Sequence, residues 1–224
     1  MWTAMDKTKA LMRPQLPKPL PIGTIEGLED YGEYNEMAVT GCDLSGQAAV
    51  GVLFEQVLFR RVYFSGSRLS KLRLADVRFE VCDFSAANWE TARLRRVEFN
   101  GCRLSGMQLL ETQLEDVLFK ECNLEGAMFV SAAFKAVRFE GCNLTGASFE
   151  EAKLAGAAFA RCDLTQADLR GASLQGVDLR GSSLNGVQLN AKDLQGAIIT
   201  ASQAIQVAGL LGVRVLEEGE SMDL

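Results

Sequence analysis

The chain has 224 residues, of which 48% are hydrophobic, and a formal net charge of −6. This charge argues against direct binding of nucleic acid, because nonspecific binding requires Lys and Arg to replace the counterions of the phosphates. The sequence contains no histidine, which removes the commonest general base, the Ser/His and Cys/His nucleophile pairs and the His-containing metal sites. We therefore expect no catalytic residue, no cofactor and no metal ion.

The N-terminal region, residues 1–25, contains the proline-rich stretch RPQLPKPLP at positions 13–21. Proline favours extended, irregular chain, so residues 1 to about 20 are predicted to be flexible or draped over the rest of the protein. The region lacks an apolar export signal, and the most apolar stretch, residues 197–216, is interrupted by polar residues. We expect a soluble, cytoplasmic protein without a membrane partner.

Residues 26–199 follow a five-residue repeat. From Leu44 to Ile199, every residue whose number ends in 4 or 9 is Leu, Phe, Trp or Ile, except Ala49. A period of five fits neither an α-helix nor a flat β-strand. A small or branched residue precedes most of these positions by two, and both columns are predicted to point inward. Tyr34 and Val39 keep the register, which predicts an imperfect first coil over residues 26–40.

The cysteines reveal a longer period of twenty residues. They occupy positions 42, 82, 102, 122, 142 and 162, and phenylalanines recur in the same way from Phe59 to Phe159. Four pentapeptides therefore form one turn of a coiled chain with four short sides, which neither an amphipathic helix nor a β-sandwich explains. The cysteines are interpreted as small core residues, because stacked rungs have parallel Cβ vectors and a disulfide needs convergent ones.

The segments ADLRG (167–171), CNLTG (142–146) and CDLTQ (162–166) share one pattern: a small residue, Asp or Asn, Leu, a polar residue, then Gly or a polar residue. On this pattern the sequence resembles the pentapeptide-repeat proteins. The resemblance implies an all-β fold, a right-handed quadrilateral parallel β-helix. About 8 coils, stacked at ~4.8 Å, give a rod ~38 Å long.

The C-terminal region, residues 200–224, is predicted to contain a helix. Thr200 is a candidate N-cap for residues 201–211, Gly212 ends the helix, and residues 213–216 form a short strand before an acidic tail. Apolar residues cover most of the helix, so we expect burial on more than one side. We predict a homodimer joined tail to tail through residues 200–216. The alternative is a monomer in which the helix only caps the last coil. The candidate interface residues are Ile205, Ala208, Leu211, Val213 and Val215.

Two adjacent sides of the predicted rod carry more acidic than basic residues, whereas the other two sides carry an excess of bases. We call the acidic residues of the first two sides the acidic strip, and it is the candidate partner-binding surface. The alternative is a mixture of charges that only keeps the protein soluble. The strip consists of Asp43, Asp83, Glu90, Glu111, Glu125, Glu150, Glu151, Asp163 and Asp168.

A rod with a filled interior offers no substrate cleft, so we expect a non-enzymatic solenoid that binds a protein partner of unknown identity. The tail DLQGAIITASQAIQVAGLLGVRV (193–215) is similar to that of the quinolone-resistance branch of the family. This resemblance implies an alternative, a rod-shaped dimer that engages the type II topoisomerases DNA gyrase and topoisomerase IV as a mimic of duplex DNA. Against it, the unbroken register leaves no room for the loops that several members project. A purely structural rod is the third hypothesis.

Overall fold

The computed structural model describes residues 11–215 of the chain. Within these residues the chain forms short parallel strands followed by one helix. The elements are β1 (Glu33–Asn35), β2 (Ala38–Thr40), β3 (Ala48–Val50), β4 (Leu53–Glu55), β5 (Leu58–Arg60), β6 (Arg68–Ser70), β7 (Arg73–Glu80), β8 (Arg93–Asn100), β9 (Gln113–Lys120), β10 (Ala133–Glu140), β11 (Ala157–Ala160) and α1 (Ala201–Leu210).

Within strands β1 to β11, each paired residue lies opposite the residue twenty positions away, as Phe79 does with Phe99 and Phe99 with Phe119. One coil therefore has four five-residue sides. We number them from the coil that begins at residue 42, so that side 1 is 42–46, side 2 is 47–51, side 3 is 52–56 and side 4 is 57–61, each repeating every twenty residues. Strands β7 to β10 cover sides 3 and 4 without a break. The predicted four-sided parallel solenoid is confirmed.

The corners between sides are formed by residues whose numbers end in 1 or 6, and from Tyr31 to Gly196 all of these except Ala191 have positive φ. Gly171 has a φ of 72°, but Asp76 (56°), Arg96 (53°) and Glu151 (56°) adopt the same left-handed conformation. This conformation is unfavourable for residues with a side chain. The stacked ladders on both sides of a corner must therefore impose it.

The core consists of the two inward columns of every side. The phenylalanines of side 4 stack face to face, with ring centroids 4.9 Å apart for Phe79 and Phe99 and 4.8 Å apart for Phe99 and Phe119. The cysteines are free. The Cys122 thiol donates a hydrogen bond to the carbonyl of Phe99 at 3.4 Å, and the neighbouring thiol of Cys102, together with burial, raises the pKa of Cys82. Five of the six thiols, from Cys82 to Cys162, are buried and fill the core as small side chains.

The number of regular turns is slightly smaller than predicted. The main sheet has the order β1-β4-β7-β8-β9-β10-β11, which makes about six turns against the predicted 8. Beyond β11 the coils are joined by isolated bridges, such as Asp163 to Ser183 and Asp178 to Ile198, and not by strands. The five-residue register continues through these coils, but their backbone pairing is less regular.

The chain before β1 covers the N-terminal end of the core. Ile22 forms a parallel bridge with Ala38, and Ile25 and Leu28 are buried among the core residues. Tyr34 and Val39 pair with Phe54 and Phe59, as expected for an imperfect first coil. Of the region predicted to be flexible or draped, residues 11–16 lie draped over the corner between sides 3 and 4. Residues 1–10 lie outside the described part.

Helix α1 begins at Ala201, as predicted, and ends at Leu210, one residue before the predicted end. Thr200 forms a capping box with Gln203, and the chain leaves the helix at Gly212, whose φ is 76°. Gln203 and Val207 are the buried residues of the helix, so the single chain covers one side of it, and burial of a second side by another copy stays a prediction. Residues 213–215, predicted to start a strand, have no regular structure, and Leu216 and the acidic tail lie outside the described residues.

Candidate partner-binding surfaces

The interior of the solenoid is filled. Phe54, Phe84, Trp89 and Phe149, among other aromatic residues, have no exposed surface. The concave surface found among residues 11–215 is a shallow depression on side 2, lined in part by Arg68, Asn88 and Glu90. No group of three or more Cys, Asp and Glu residues in this part of the chain is arranged to hold a metal ion. Candidate sites therefore lie on the outer faces.

The acidic residues of side 1 do not form a continuous row. Parallel bridges run from Asp43 to Tyr63, to Asp83 and to Arg103, so other residues separate the carboxylates. Asp163 lies four coils beyond Asp83, about 19 Å along the rod. Glu125, at the edge of the same side, is exposed. The structure places the four predicted residues on one face but leaves them apart.

The three aspartates of side 1 each form a local turn. Each carboxylate accepts a hydrogen bond from the main-chain N–H two residues later, at 2.8–2.9 Å. These hydrogen bonds and those from the hydroxyl groups lower the pKa of Asp43 and Asp163, and they also lower the pKa of Asp83 although burial acts to raise it. The aspartates therefore stay ionised near neutral pH. The donor residues are Ser45, Ser85 and Thr165.

The acidic residues of side 2 form two groups. Glu90 and Glu150 occupy one column, three coils or about 14 Å apart, and Glu111 and Glu151 occupy the adjacent corner, two coils or about 10 Å apart. All four are exposed, and none forms an ion pair with another residue of the described chain. Glu150 and Glu151, the last glutamates of the two groups, are adjacent in sequence and form the densest acidic point of the strip.

Asp168, the remaining residue of the strip, is neutralised by its neighbour. Its two carboxylate oxygens accept hydrogen bonds from Arg170 at 2.5 and 2.9 Å, and this contact lowers the pKa of Asp168. The spacing of two residues within one side brings the groups together. Asp168 therefore adds little negative potential for a partner.

The C-terminal helix presents an uncovered apolar surface. Ile205 is 57% exposed, Leu211 38%, Val213 55% and Val215 53%, whereas Ala208 is half-buried. The helix docks on the last coils through its polar residue, because the Gln203 side-chain amide donates hydrogen bonds to the carbonyls of Leu179 and Ser182 at 2.7 and 2.8 Å. The predicted interface residues lie together, four of them exposed, in the single chain.

The sequence reasoning did not single out three acidic residues that are buried outside the core. Asp76, Glu98 and Asp116 lie on the corner between sides 3 and 4 or beside it, and each is at most 4% exposed. A signal in the sequence was present, because Leu58 and Leu118 occupy positions that alternate with the inward columns and therefore face outward. Apolar residues at outward positions indicate that something covers this face.

The repeat is also found by comparison with known families. A family model described as the pentapeptide repeat region matches residues 35–109, 72–148 and 112–189, more than half of the chain. The chain belongs to the pentapeptide-repeat family. The predicted resemblance is confirmed.

The chain has the fold of one solved structure and a weaker similarity to another. A trypsin-treated form of QnrB1, a plasmid-mediated fluoroquinolone resistance protein, has 20% sequence identity and a TM-score of 0.50, and the match covers 83% of this chain and 100% of that protein. HetL, a pentapeptide-repeat protein involved in heterocyst differentiation regulation from the cyanobacterium Nostoc, has 22% identity and a TM-score of 0.32, covering 76% and 90%. The chain matches no curated protein.

Among residues 11–215, no helix is long and apolar enough to cross a membrane.

Proposed function

We propose that this pentapeptide-repeat solenoid is a non-enzymatic protein that binds a partner protein through its outer faces. The observation that carries the proposal is the filled interior: inward columns are buried on every side, so recognition falls to outward residues. Eight of the nine strip carboxylates form no ion pair within the described chain, and sides 1 and 2 offer them to a partner. A basic protein surface is the complement of such a face.

The second candidate is narrower: the partner is a type II topoisomerase, whose basic DNA-binding groove receives sides 1 and 2. The similarity of the fold to QnrB1, a fluoroquinolone resistance protein, supports this candidate. From Asp43 to Asp163 the strip spans six coils, about 29 Å. The same length of duplex DNA carries about 17 phosphate charges, roughly twice the number of unpaired strip carboxylates. The strip therefore imitates DNA in part, and shape must contribute to binding.

The test for the topoisomerase is protection of purified DNA gyrase from a fluoroquinolone in a supercoiling assay. The unmodified protein is expected to protect, and the double reversal Glu150→Lys and Glu151→Lys is expected to abolish protection. The control, Glu33→Lys with Glu55→Lys, makes the same charge change at exposed positions of side 3 and should protect normally. Absence of protection by the unmodified protein at any concentration ends this candidate.

The wider proposal is tested by affinity capture from the source cell with the same three proteins. A partner retained by the unmodified protein and by the side 3 control, but lost with the side 2 reversal of Glu150 and Glu151, supports binding through the acidic strip. Retention of the same partner by all three proteins contradicts it. Binding is also expected to weaken with salt, because exposed charges are screened over ~8 Å at physiological ionic strength.

We also propose a homodimer formed through α1 and residues 211–215. In the single chain the helix uses Gln203 and Val207 to dock, and the exposed apolar residues Ile205, Leu211 and Val213 remain in water. Exposed apolar patches of this kind usually mark interfaces. A second copy related by a two-fold axis covers them with the same residues.

Sedimentation at micromolar concentration tests the dimer. The expected species has twice the monomer mass of 24.4 kDa, and Leu211→Asp should convert it to monomer. Val81→Asp is the matched control, because Val81 is 65% exposed on the rod, away from α1. A single species near the monomer mass for the unmodified protein rules out the dimer.

A further inference from the structure

Residues 11–16, here called the N-terminal strap, lie over the corner between sides 3 and 4. The main-chain N–H of Met12 donates a hydrogen bond to Asp116 Oδ1 at 3.2 Å, and that of Gln15 donates to Asp76 Oδ1 at 2.9 Å. The Gln15 carbonyl accepts a hydrogen bond from the Gln56 side chain at 3.2 Å. The strap is therefore held by its backbone, on the side chains of Gln56, Asp76 and Asp116, which three different coils present.

The spacing of the two carboxylates matches an extended peptide. Asp76 and Asp116 are two coils apart, which is about 9.6 Å at the spacing of neighbouring strands. Met12 and Gln15 are three residues apart, which is about 10 Å in an extended chain. In an extended segment, N–H groups three residues apart therefore lie opposite carboxylates two coils apart. This register selects an extended backbone and is independent of the side chains of the segment.

Apolar residues beside the carboxylates are covered as well. Leu58 is 9% and Leu118 3% exposed, yet neither belongs to the core cluster. Their neighbours in sequence, such as Val117 and Phe119, point inward, so these leucines point outward. Burial of an outward leucine requires a cover, and the strap, with Leu11, Pro14 and Leu16 half-buried, lies on this face.

The strap satisfies the acidic groups incompletely. Glu98 Oε1 and Asp116 Oδ2 are buried and accept no hydrogen bond from residues 11–215. Arg13 Nη1 lies 3.7 Å from Glu98 Oε1, too far for a hydrogen bond, and the Arg13 side chain is 71% exposed. Buried acceptors without donors are unfavourable, especially when they are charged.

The three carboxylates differ in how far the rod neutralises them. Burial acts to raise the pKa of Asp76, but hydrogen bonds from Arg96 and from the Gln15 N–H hold that pKa below its usual value. Glu98 accepts a hydrogen bond from Arg78 at 2.8 Å through its other oxygen. Asp116 forms no ion pair in the described chain. An acceptor without a donor among residues 11–215, Asp116 Oδ2, is therefore left on the carboxylate that binds the Met12 N–H.

We propose that this corner track, formed by Asp76, Glu98 and Asp116 with Leu58 and Leu118, is a binding site for an extended basic segment of a partner protein. In the single chain the strap occupies this site, and the partner segment displaces it. A segment with Lys or Arg at the place of Met12 supplies the donors that Asp116 Oδ2 lacks, so it binds better than the strap. The site lies on sides 3 and 4, away from the acidic strip, and does not depend on the function proposed above.

The test uses the full chain with Arg13→Glu, which weakens the resident strap at an exposed position. The probes are two fluorescent peptides with blocked ends: LMRPQLPKPL, which copies residues 11–20, and the same peptide with Met12→Lys. Anisotropy is expected to show the lysine peptide binding at least about tenfold more tightly, because it adds charge-assisted hydrogen bonds. Adding Asp116→Asn to the chain should remove this difference. The unmodified chain should bind both peptides more weakly, since its tethered strap competes.

Hydrogen exchange of the Met12 and Gln15 amides supplies a second measurement. Both amides should exchange slowly in the unmodified chain and faster in the Arg13→Glu chain. Addition of the lysine peptide should make them exchange faster still, because the peptide displaces the strap completely. Three results overturn the proposal. The first is equal affinity of the two peptides. The second is no binding to the Arg13→Glu chain at about millimolar peptide, which is the effective concentration of a tethered segment. The third is slow exchange that Arg13→Glu and the peptides leave unchanged.

Discussion

Replacing Phe119 by alanine tests the stacked core at its centre. The Phe119 ring has no exposed surface. It lies parallel to Phe99 and Phe139, with centroids 4.8 Å away on each side, and meets the edge of Phe129 at 6.1 Å. The hydrogen-bonded ladder fixes the neighbouring coils at their spacing. The cavity left by the ring therefore cannot collapse, and relaxation recovers little of the lost contact.

The expected cost of Phe119→Ala is about 3–5 kcal/mol of unfolding free energy, the range for deleting a buried aromatic side chain. Phe159→Ala gives an internal comparison, because Phe159 is also buried but stacks on one phenylalanine, Phe139, at 4.9 Å. Phe159→Ala should lower the unfolding free energy by less than Phe119→Ala does, and the difference should equal the energy of one aromatic pair, ~0.5–1.5 kcal/mol. Tyr63→Ala, at a residue 51% exposed, should change the stability by about 0.5 kcal/mol or less.

Guanidinium denaturation followed by circular dichroism measures all three variants. If the midpoint of Phe119→Ala equals that of the unmodified protein, the column does not carry the stability of the rod. If Phe159→Ala costs as much as or more than Phe119→Ala, stacking on both sides is not the reason for the larger value. Either result refutes the reasoning from the ladder.

Three further predictions concern single polar contacts. Cys122→Ser should cost less than about 1 kcal/mol in a denaturation midpoint, because a hydroxyl donates to the carbonyl as Ser182 does to Phe159 at 3.0 Å; a larger loss contradicts this. Gln203→Leu leaves two buried carbonyls without a donor and should cost about 1–3 kcal/mol. The loss should be seen as earlier disappearance of the helical signal on denaturation. An unchanged signal would mean that α1 docks by apolar contact alone. The depressed pKa of Asp76 means that its contribution is present above the unfolded value of about 3.9 and is lost as the pH falls through the folded value. Asp76→Asn should therefore flatten the fall in stability with acid, and an unchanged profile contradicts it.

The sequence by itself determined the register of the solenoid. An apolar residue at every fifth position and a cysteine at every twentieth are sufficient to place Phe99 beside Phe119, because equivalent residues of successive coils must stack. It also determined the cap at Thr200 and the end at Gly212, which depend on local chemistry. The faces that carry the strip follow from the same arithmetic.

Tertiary structure alone decided how outward side chains meet. The docking of α1 through Gln203 and the bonds from the strap to Asp76 and Asp116 have no period in the sequence. Periodic burial fixes which residues point inward, since every coil repeats the same environment. Contacts made by the chain ends occur once, and they depend on distances in the folded rod that no repeat encodes.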